Sequence, residues 1–313
     1  MLKKIINSKL LKLLLSAVLI YFAFRKVNIF NIFNELKTVP LKWVIINVLY
    51  SIIVLVLGSY RWSVLLFDKI NLKKVIDFSK ATFSGAFYGL FFPTGIAGDF
   101  LKWLPLQKKY PELTKTKLFS SVFLDRFIGF SAFMFAAFVA TGLGLLLKFQ
   151  FPTYLFYLFG IVSLGIVLFY VLVFNFDFEK LLVKFSKYKI VSKLHEVIDL
   201  VKNSNVDNIF KCLGISFITE LLWVSQVWFV SNIFHAGFTI LSVFIFLPII
   251  AIILILPISV AGFGAREQLY LIFFAQVAVS NEKILLVSTF MGILGILTAL
   301  IGGIVVLLKS FLK

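Results

Sequence analysis

Apolar runs, most of them long enough to cross a bilayer, recur from one end of this 313-residue chain to the other. Crossing about 30 Å of hydrocarbon takes roughly 20 apolar residues in a helix. The segments at about 10–24, 43–67, 81–101, 118–147, 153–176, 211–234, 239–257, 265–279 and 284–308 reach or approach that length. Backbone amides in lipid have no water to bond, so such segments must be helical. The expected fold class is therefore all-α. It is a polytopic transmembrane helical bundle with about six spanning helices and two re-entrant or broken helix pairs in an inverted-repeat arrangement. Composition agrees: 61% of residues are hydrophobic and 14% charged, against about 45–50% and about 25% in soluble domains. No polar segment is long enough for a separate soluble domain, so residues 1–313 read as one membrane domain.

The net charge of +17 does not point to nucleic acid. The basic residues lie between apolar segments, where the positive-inside rule and the anionic inner leaflet account for them. A single cysteine, Cys212, excludes an internal disulfide and a thiolate metal cluster. The two histidines, His195 and His235, stand far apart near segment ends, so no metal site or catalytic triad is expected, and no cofactor. The apolar run from Leu10 to Phe24 is followed by Arg25 and Lys26 rather than a small-residue cleavage site, and reads as an uncleaved first span.

Lys3, Lys4, Lys9 and Lys12 place the N-terminus in the cytoplasm, and Lys309 and Lys313 place the C-terminus there too. Three stretches are polar enough to be loops: 68–80, 102–117 and 177–210, the last including a short surface helix. The first two are both lysine-rich, yet the apolar segment 81–101 separates them. The simplest arrangement has that segment dip into the membrane and return, its tip at Phe92-Pro93-Thr94-Gly95. This scheme leaves Arg25, Lys26, Lys37 and Lys42 in an outside loop. Segments 239–257 and 265–279 begin and end outside, either as a second hairpin or as a tight pair of spans around Pro257–Gly264.

The two tips resemble each other. Pro93-Thr94-Gly95-Ile96-Ala97-Gly98 and Pro257-Ile258-Ser259-Val260-Ala261-Gly262 are both P-x-x-x-A-G after two large apolar residues, with charge close behind. Two broken helices entering from opposite leaflets and meeting near the midplane form a common transporter architecture. The repeats run roughly over 43–147 and 211–308, with Pro93, Gly95, Gly98, Pro257, Ser259, Gly262 and Gly264 as hinge and close-packing positions. The alternative is two unrelated proline kinks.

Charged residues inside apolar runs are the candidate binding residues, because an unpaired charge at a helix centre costs about 2.5–3.5 kcal/mol on insertion scales. Arg61 either snorkels to the interface or faces a site. Asp125 and Arg126 form either a structural ion pair or part of a polar network. Glu220 lies about nine residues into its span, roughly 13–14 Å, with no local cation. Arg266 and Glu267 follow Gly262-Phe263-Gly264, where a new helix would offer free N–H groups to an anion and Arg266 would add a guanidinium. Asp99 is either an N-cap or a site residue, and Lys102 is one turn further on. The 39 phenylalanines read as lipid-facing bulk.

Phe92–Asp99, Leu124-Asp125-Arg126-Phe127, Leu256–Glu267 and Arg61-Trp62 together resemble the membrane-region family of bacterial lysylphosphatidylglycerol synthases. Its pattern is P-[ST]-G-x-G-G-D, a D-R pair, and P-x-S-x-G-G-x-G-x-R-E, in that order. Ala97 and Ala261 stand where glycine is usual, and Lys102 where arginine is common. The resemblance implies a flippase-like membrane region, here a stand-alone member without the aminoacyl transferase domain, and does not imply lysyl transfer. The expected function is translocation of an anionic phospholipid or a lipid-linked precursor across the cytoplasmic membrane, with membrane lipids as partners. The alternatives are a membrane-embedded glycosyl or phospho transferase, or a scaffold subunit for such a membrane partner enzyme. The transferase reading lacks any acidic pair at D-x-D spacing.

Overall fold

The computed structural model describes residues 9–25, 28–91, 98–175, 201–202, 206–256, 259, 262–277 and 279–311. The described residues are helical, with no strand among them. Eleven α-helices follow in order: α1 Lys9–Phe24, α2 Ile29–Thr38, α3 Leu41–Val64, α4 Leu72–Gly89, α5 Leu104–Gln107, α6 Lys115–Leu146, α7 Tyr154–Asn175, α8 Val206–Ile233, α9 Ile240–Ile255, α10 Ala265–Phe274 and α11 Asn281–Phe311. Short 3₁₀ turns at Asp99–Leu101 and Ala275–Val277 precede α5 and follow α10.

Five of these, α3, α6, α7, α8 and α11, are long and apolar enough to cross a membrane. The sixth expected span forms α1, whose 16 residues rise about 24 Å. On α7 the large side chains Tyr157, Ile161, Leu164 and Leu168 are exposed in one stripe, the face a spanning helix turns toward lipid. Phenylalanine is less peripheral than expected: Phe78, Phe159, Phe246 and Phe274 are among the largest fully buried side chains. Edge-on pairs such as Trp62–Phe78, at 4.7 Å between centroids, show how these rings fill space between helices.

The expected loops are partly helical among the described residues: 102–117 holds α5 and the start of α6, and 177–210 the start of α8. The stretch 68–80 contains the start of α4, because Asn71 caps it by accepting the Lys74 N–H at 2.9 Å and its lysines lie on an exposed side. The segment between the first two spans holds α2, capped by Asn28. α8 begins at Val206, ahead of the apolar run, so Glu220 is fourteen residues from its start, about 21 Å along the axis.

The chain after α4 returns to the end it left. Gly98 comes back against the backbone of Gly85 and Gly89. Asp77, buried on the first turns of α4, pairs with Lys109 and accepts the Tyr110 hydroxyl at 2.8 Å. Burial and the Asp77 carboxylate raise the Tyr110 hydroxyl well above its ordinary range, which keeps it a donor to Asp77. The stretches 68–80 and 102–117 therefore sit together, closed by this clamp. At the other end, α9 (16 residues) packs on α10 (10 residues); at about 1.5 Å per residue α10 rises only about 15 Å, half a hydrocarbon layer.

Packing between apolar helices in lipid gains little from the hydrophobic effect and relies on close approach through small residues. α4 meets α11 in this way, at Gly302 and Gly303. A Cβ added at Gly302 would stand 2.7 Å from the Phe83 carbonyl carbon and 3.3 Å from Phe87 Cβ. Gly302→Val should therefore lose about 1–3 kcal/mol of stability and lower the thermal midpoint in detergent. Gly295→Ala, where an added Cβ meets nothing within 4 Å, should leave that midpoint in place.

Candidate functional site

The first charged cluster is built where α3, α6 and α8 meet the segment that follows the first tip. Asp125 lies ten residues into α6 and is almost fully buried. One carboxylate oxygen takes Arg61 Nε at 2.8 Å and the other takes Lys102 Nζ at 3.1 Å. Arg61 also donates from Nη1 to Ser216 Oγ at 2.9 Å. Its guanidinium has room because residue 129 is glycine, where a Cβ would sit 2.9 Å from Nη1. Arg61 is 8% exposed, so it does not snorkel; it is held inside. Lys102 Nζ lies 4.4 Å from the centre of the Trp62 ring, and the Trp62 indole donates to Ser121 Oγ at 2.9 Å.

Asp125 and Arg126 are not paired with each other. Successive residues on a helix point about 100° apart, so Asp125 faces the Arg61–Lys102 interior while Arg126 faces outward to Asp99. Arg126 Nη2 pairs with Asp99 Oδ2, and the Arg126 side chain is 54% exposed. Asp99 is not an N-cap: Gly98 occupies that position, without a side-chain cap bond, and the Asp99 carboxylate is given to Arg126.

Arg61, Asp99, Arg126 and Glu220 line one cavity of about 850 Å³. Its remaining wall is apolar and aromatic, from Phe123, Phe127, Phe130, Phe133 and Trp223 to the end of α9 at Leu254 and Ile255. Asp99 follows the first tip and Ile255 precedes the second, so the described flanks of both tips reach this cavity. Glu220 lacks a hydrogen bond or ion pair among the described residues, and the charges that act on it are those of Arg61 and Arg126. Along this lining Arg61 and Arg126 balance Asp99 and Glu220. The wall is polar but neutral overall.

Arg266 and Glu267 form a second cluster, outside that cavity's lining. The Gly264 N–H donates to Glu267 Oε2 at 2.7 Å, so the protein's own carboxylate fills the start of α10. Glu267 Oε1 takes Arg266 Nη2 at 2.7 Å and lies 3.4 Å from Ser288 Oγ. The Arg266 guanidinium lies against Gly292 of α11, where a Cβ would be 2.9 Å from Nη1, and over the Phe263 ring. Gly262 and Gly264 have φ +81° and +80°, a region open to glycine and costly for other residues. Ser259 is buried. Pro93, Gly95 and Pro257 lie outside the described residues.

Sequence reasoning missed Asp77, whose three lysine neighbours disguised it as part of a solvated loop. It also missed Ser216, Gly129 and Gly292, ordinary membrane-helix residues that matter here only through the guanidinium each one faces. Asp125→Asn should be the most damaging single change in the first cluster, because it strands two buried cations; breaking such a pair costs about 3–5 kcal/mol. Asp99→Asn, which leaves a half-exposed arginine rather than two buried cations, should move the thermal midpoint in detergent less, and equal shifts would contradict this assignment.

No curated protein and no solved structure matches this chain. The family model described as the lysylphosphatidylglycerol synthase TM region matches residues 9–303, nearly the whole chain. On that match, and with five helices able to span a bilayer, the chain belongs to the family of lysylphosphatidylglycerol synthase transmembrane regions and is a multi-pass membrane protein.

Proposed function

We propose that this protein translocates an anionic phospholipid or a phosphate-bearing, lipid-linked precursor across the cytoplasmic membrane, with both termini on the cytoplasmic side. The observation that carries the reading is the amphipathic cavity. One wall offers guanidinium and carboxylate groups, and the rest is phenylalanine, tryptophan and aliphatic surface. A lipid has the same division between headgroup and chains, and a water-soluble substrate does not.

Two features support the re-entrant arrangement. The Asp77 clamp returns the first hairpin to its starting end, and α10 is too short to cross. The flanks of both tips reach the cavity, as inverted broken helices would require.

Within this reading, Arg126 is the phosphate ligand. It is the accessible cation, and its fork of donors suits phosphate. Arg61 and Lys102 are committed to Asp125, and Arg266 to Glu267, so they shape the site rather than receive the headgroup. An arriving phosphate replaces Asp99 at Arg126. Asp99 is then released into the cavity that it lines.

Reconstituted protein should expose inner-leaflet, chain-labelled fluorescent phosphatidylglycerol to dithionite faster than protein-free vesicles do. Arg126→Gln should slow this by about tenfold or more, the value of the ~1.5–3 kcal/mol of a hydrogen bond to a charged group. Folded protein that accelerates neither this lipid nor a labelled polyprenyl phosphate would overturn the proposal.

A further inference from the structure

Beyond the charged cavity, the facing sides of α3 and α8 carry a line of polar groups that the site does not use. Gln226 Nε2 donates to the Asn47 carbonyl and to Ser51 Oγ, both at 2.9 Å. Tyr50 and Ser225 share a hydrogen bond of 2.7 Å. Asn47 is 1% exposed, and its Oδ1 has no partner. A side-chain carbonyl buried without a partner costs about 1–3 kcal/mol, so a purely structural seam would not retain it without reason.

Two further cavities lie along the same line. One of about 270 Å³ is bounded by α3, α4, α8 and α11 and includes Ser51, Gln226 and Thr298. The other, of about 570 Å³, lies at the far end of the bundle and includes Trp43, Asn232 and His235. Trp43, Asn47 and Ser51 follow at four-residue steps on one face of α3. From Trp43 to Arg61 the helix rises about 27 Å, close to the thickness of the hydrocarbon layer.

Trp223 is the shared wall. It lines both the charged cavity and the 270 Å³ cavity, and its ring leans on Phe133 at 5.4 Å between centroids. Its position, one turn along α8 from Glu220 and one turn before Gln226, puts it between the charged groups and the polar seam.

We infer that the α3–α8 seam is the headgroup's route across the membrane and that Trp223 is its gate. This rests on the translocase reading, which it deepens by naming the path. With Trp223 against Phe133 the route is closed beside the charged cavity. Rotation of the indole joins the two cavities, and the Asn47–Gln226 pair forms the second constriction before the far-end cavity.

Cysteine accessibility tests this without any lipid substrate. In a Cys212→Ser background, Ser51→Cys in reconstituted vesicles is treated with a charged, membrane-impermeant methanethiosulfonate from each side in turn. Ile53→Cys, at a 51% exposed apolar position on the same helix, is the lipid-facing control. Ser51→Cys should react and Ile53→Cys should not. A closed gate opens in a minor state populated at roughly 10% or less, so Trp223→Ala should raise the Ser51→Cys rate about tenfold or more from the Asp99 side, while Trp223→Phe should raise it less. If Ser51→Cys is as inert as Ile53→Cys, or if Trp223→Ala leaves its rate unchanged in protein of normal thermal midpoint, the route is wrong. That result leaves lipid binding in the charged cavity untouched. An accessible, gated seam in a protein that moves no labelled lipid would instead overturn the function and, with it, the seam's role as a headgroup route, leaving a gated water path.

Discussion

Asp125 holds the bundle's charged interior together. A carboxylate ten residues into a spanning helix is tolerable only because both of its oxygens are engaged, one by Arg61 and one by Lys102. Each partner comes from a different part of the chain, the end of α3 and the segment beyond the first tip. The pairing therefore does more than neutralise charge. It fixes where the first hairpin returns relative to the spanning helices, and so sets Asp99 beside Arg126. Remove the central anion and two cations remain in a space that water reaches poorly, where each is costly. The position of the accessible site depends on that inaccessible pair.

Glu267 plays the corresponding part at the start of α10, by a different route. It closes the turn of α10 onto Gly264, holds Arg266 and approaches Ser288 on α11. Glycine recurs beside both buried guanidiniums, at Gly129 for Arg61 and Gly292 for Arg266. A side chain at either place would occupy the volume that lets the cation stay inside. The two clusters thus share a construction: an acidic residue at the centre, an arginine packed on a bare backbone, and a serine at the edge.

Much of this was legible as chemistry and little of it as partnership. Apolar run length gave the helices, and the cost of charge in lipid singled out the residues that matter, because both depend on local composition. Adjacency in sequence leaves a mutual pair open for Asp125 and Arg126, but adjacency on a helix means divergence: the partners of Asp125 lie 64 and 23 residues away and that of Arg126 lies 27 away. The start of α8 was set too late because Val206–Phe210 includes polar residues, and a helix that protrudes from lipid does not end where its apolarity does. Asp77 stayed hidden for the opposite reason: three lysines around it look like water-facing loop, and only the Asn71 cap and the return of Lys109 and Tyr110 make the position interior.

The balance of charge constrains how the proposed translocation can work. Two cations and two carboxylates line the cavity and leave the empty site near neutral, so it does not hold an anionic headgroup by surplus charge. Binding must instead be an exchange, in which the headgroup phosphate takes the place of a carboxylate already present. Among the described pairs at this cavity, Arg126–Asp99 is the one with a half-exposed cation; the Asp125 pairs are too deep to open. An exchange site has a useful property for a carrier. The departing phosphate is replaced by Asp99, so release leaves no bare guanidinium in the hydrocarbon layer. A strong cationic trap would bind the lipid more tightly and hand it on more slowly, whereas a neutral, self-paired site keeps the headgroup's energy similar at entry and exit.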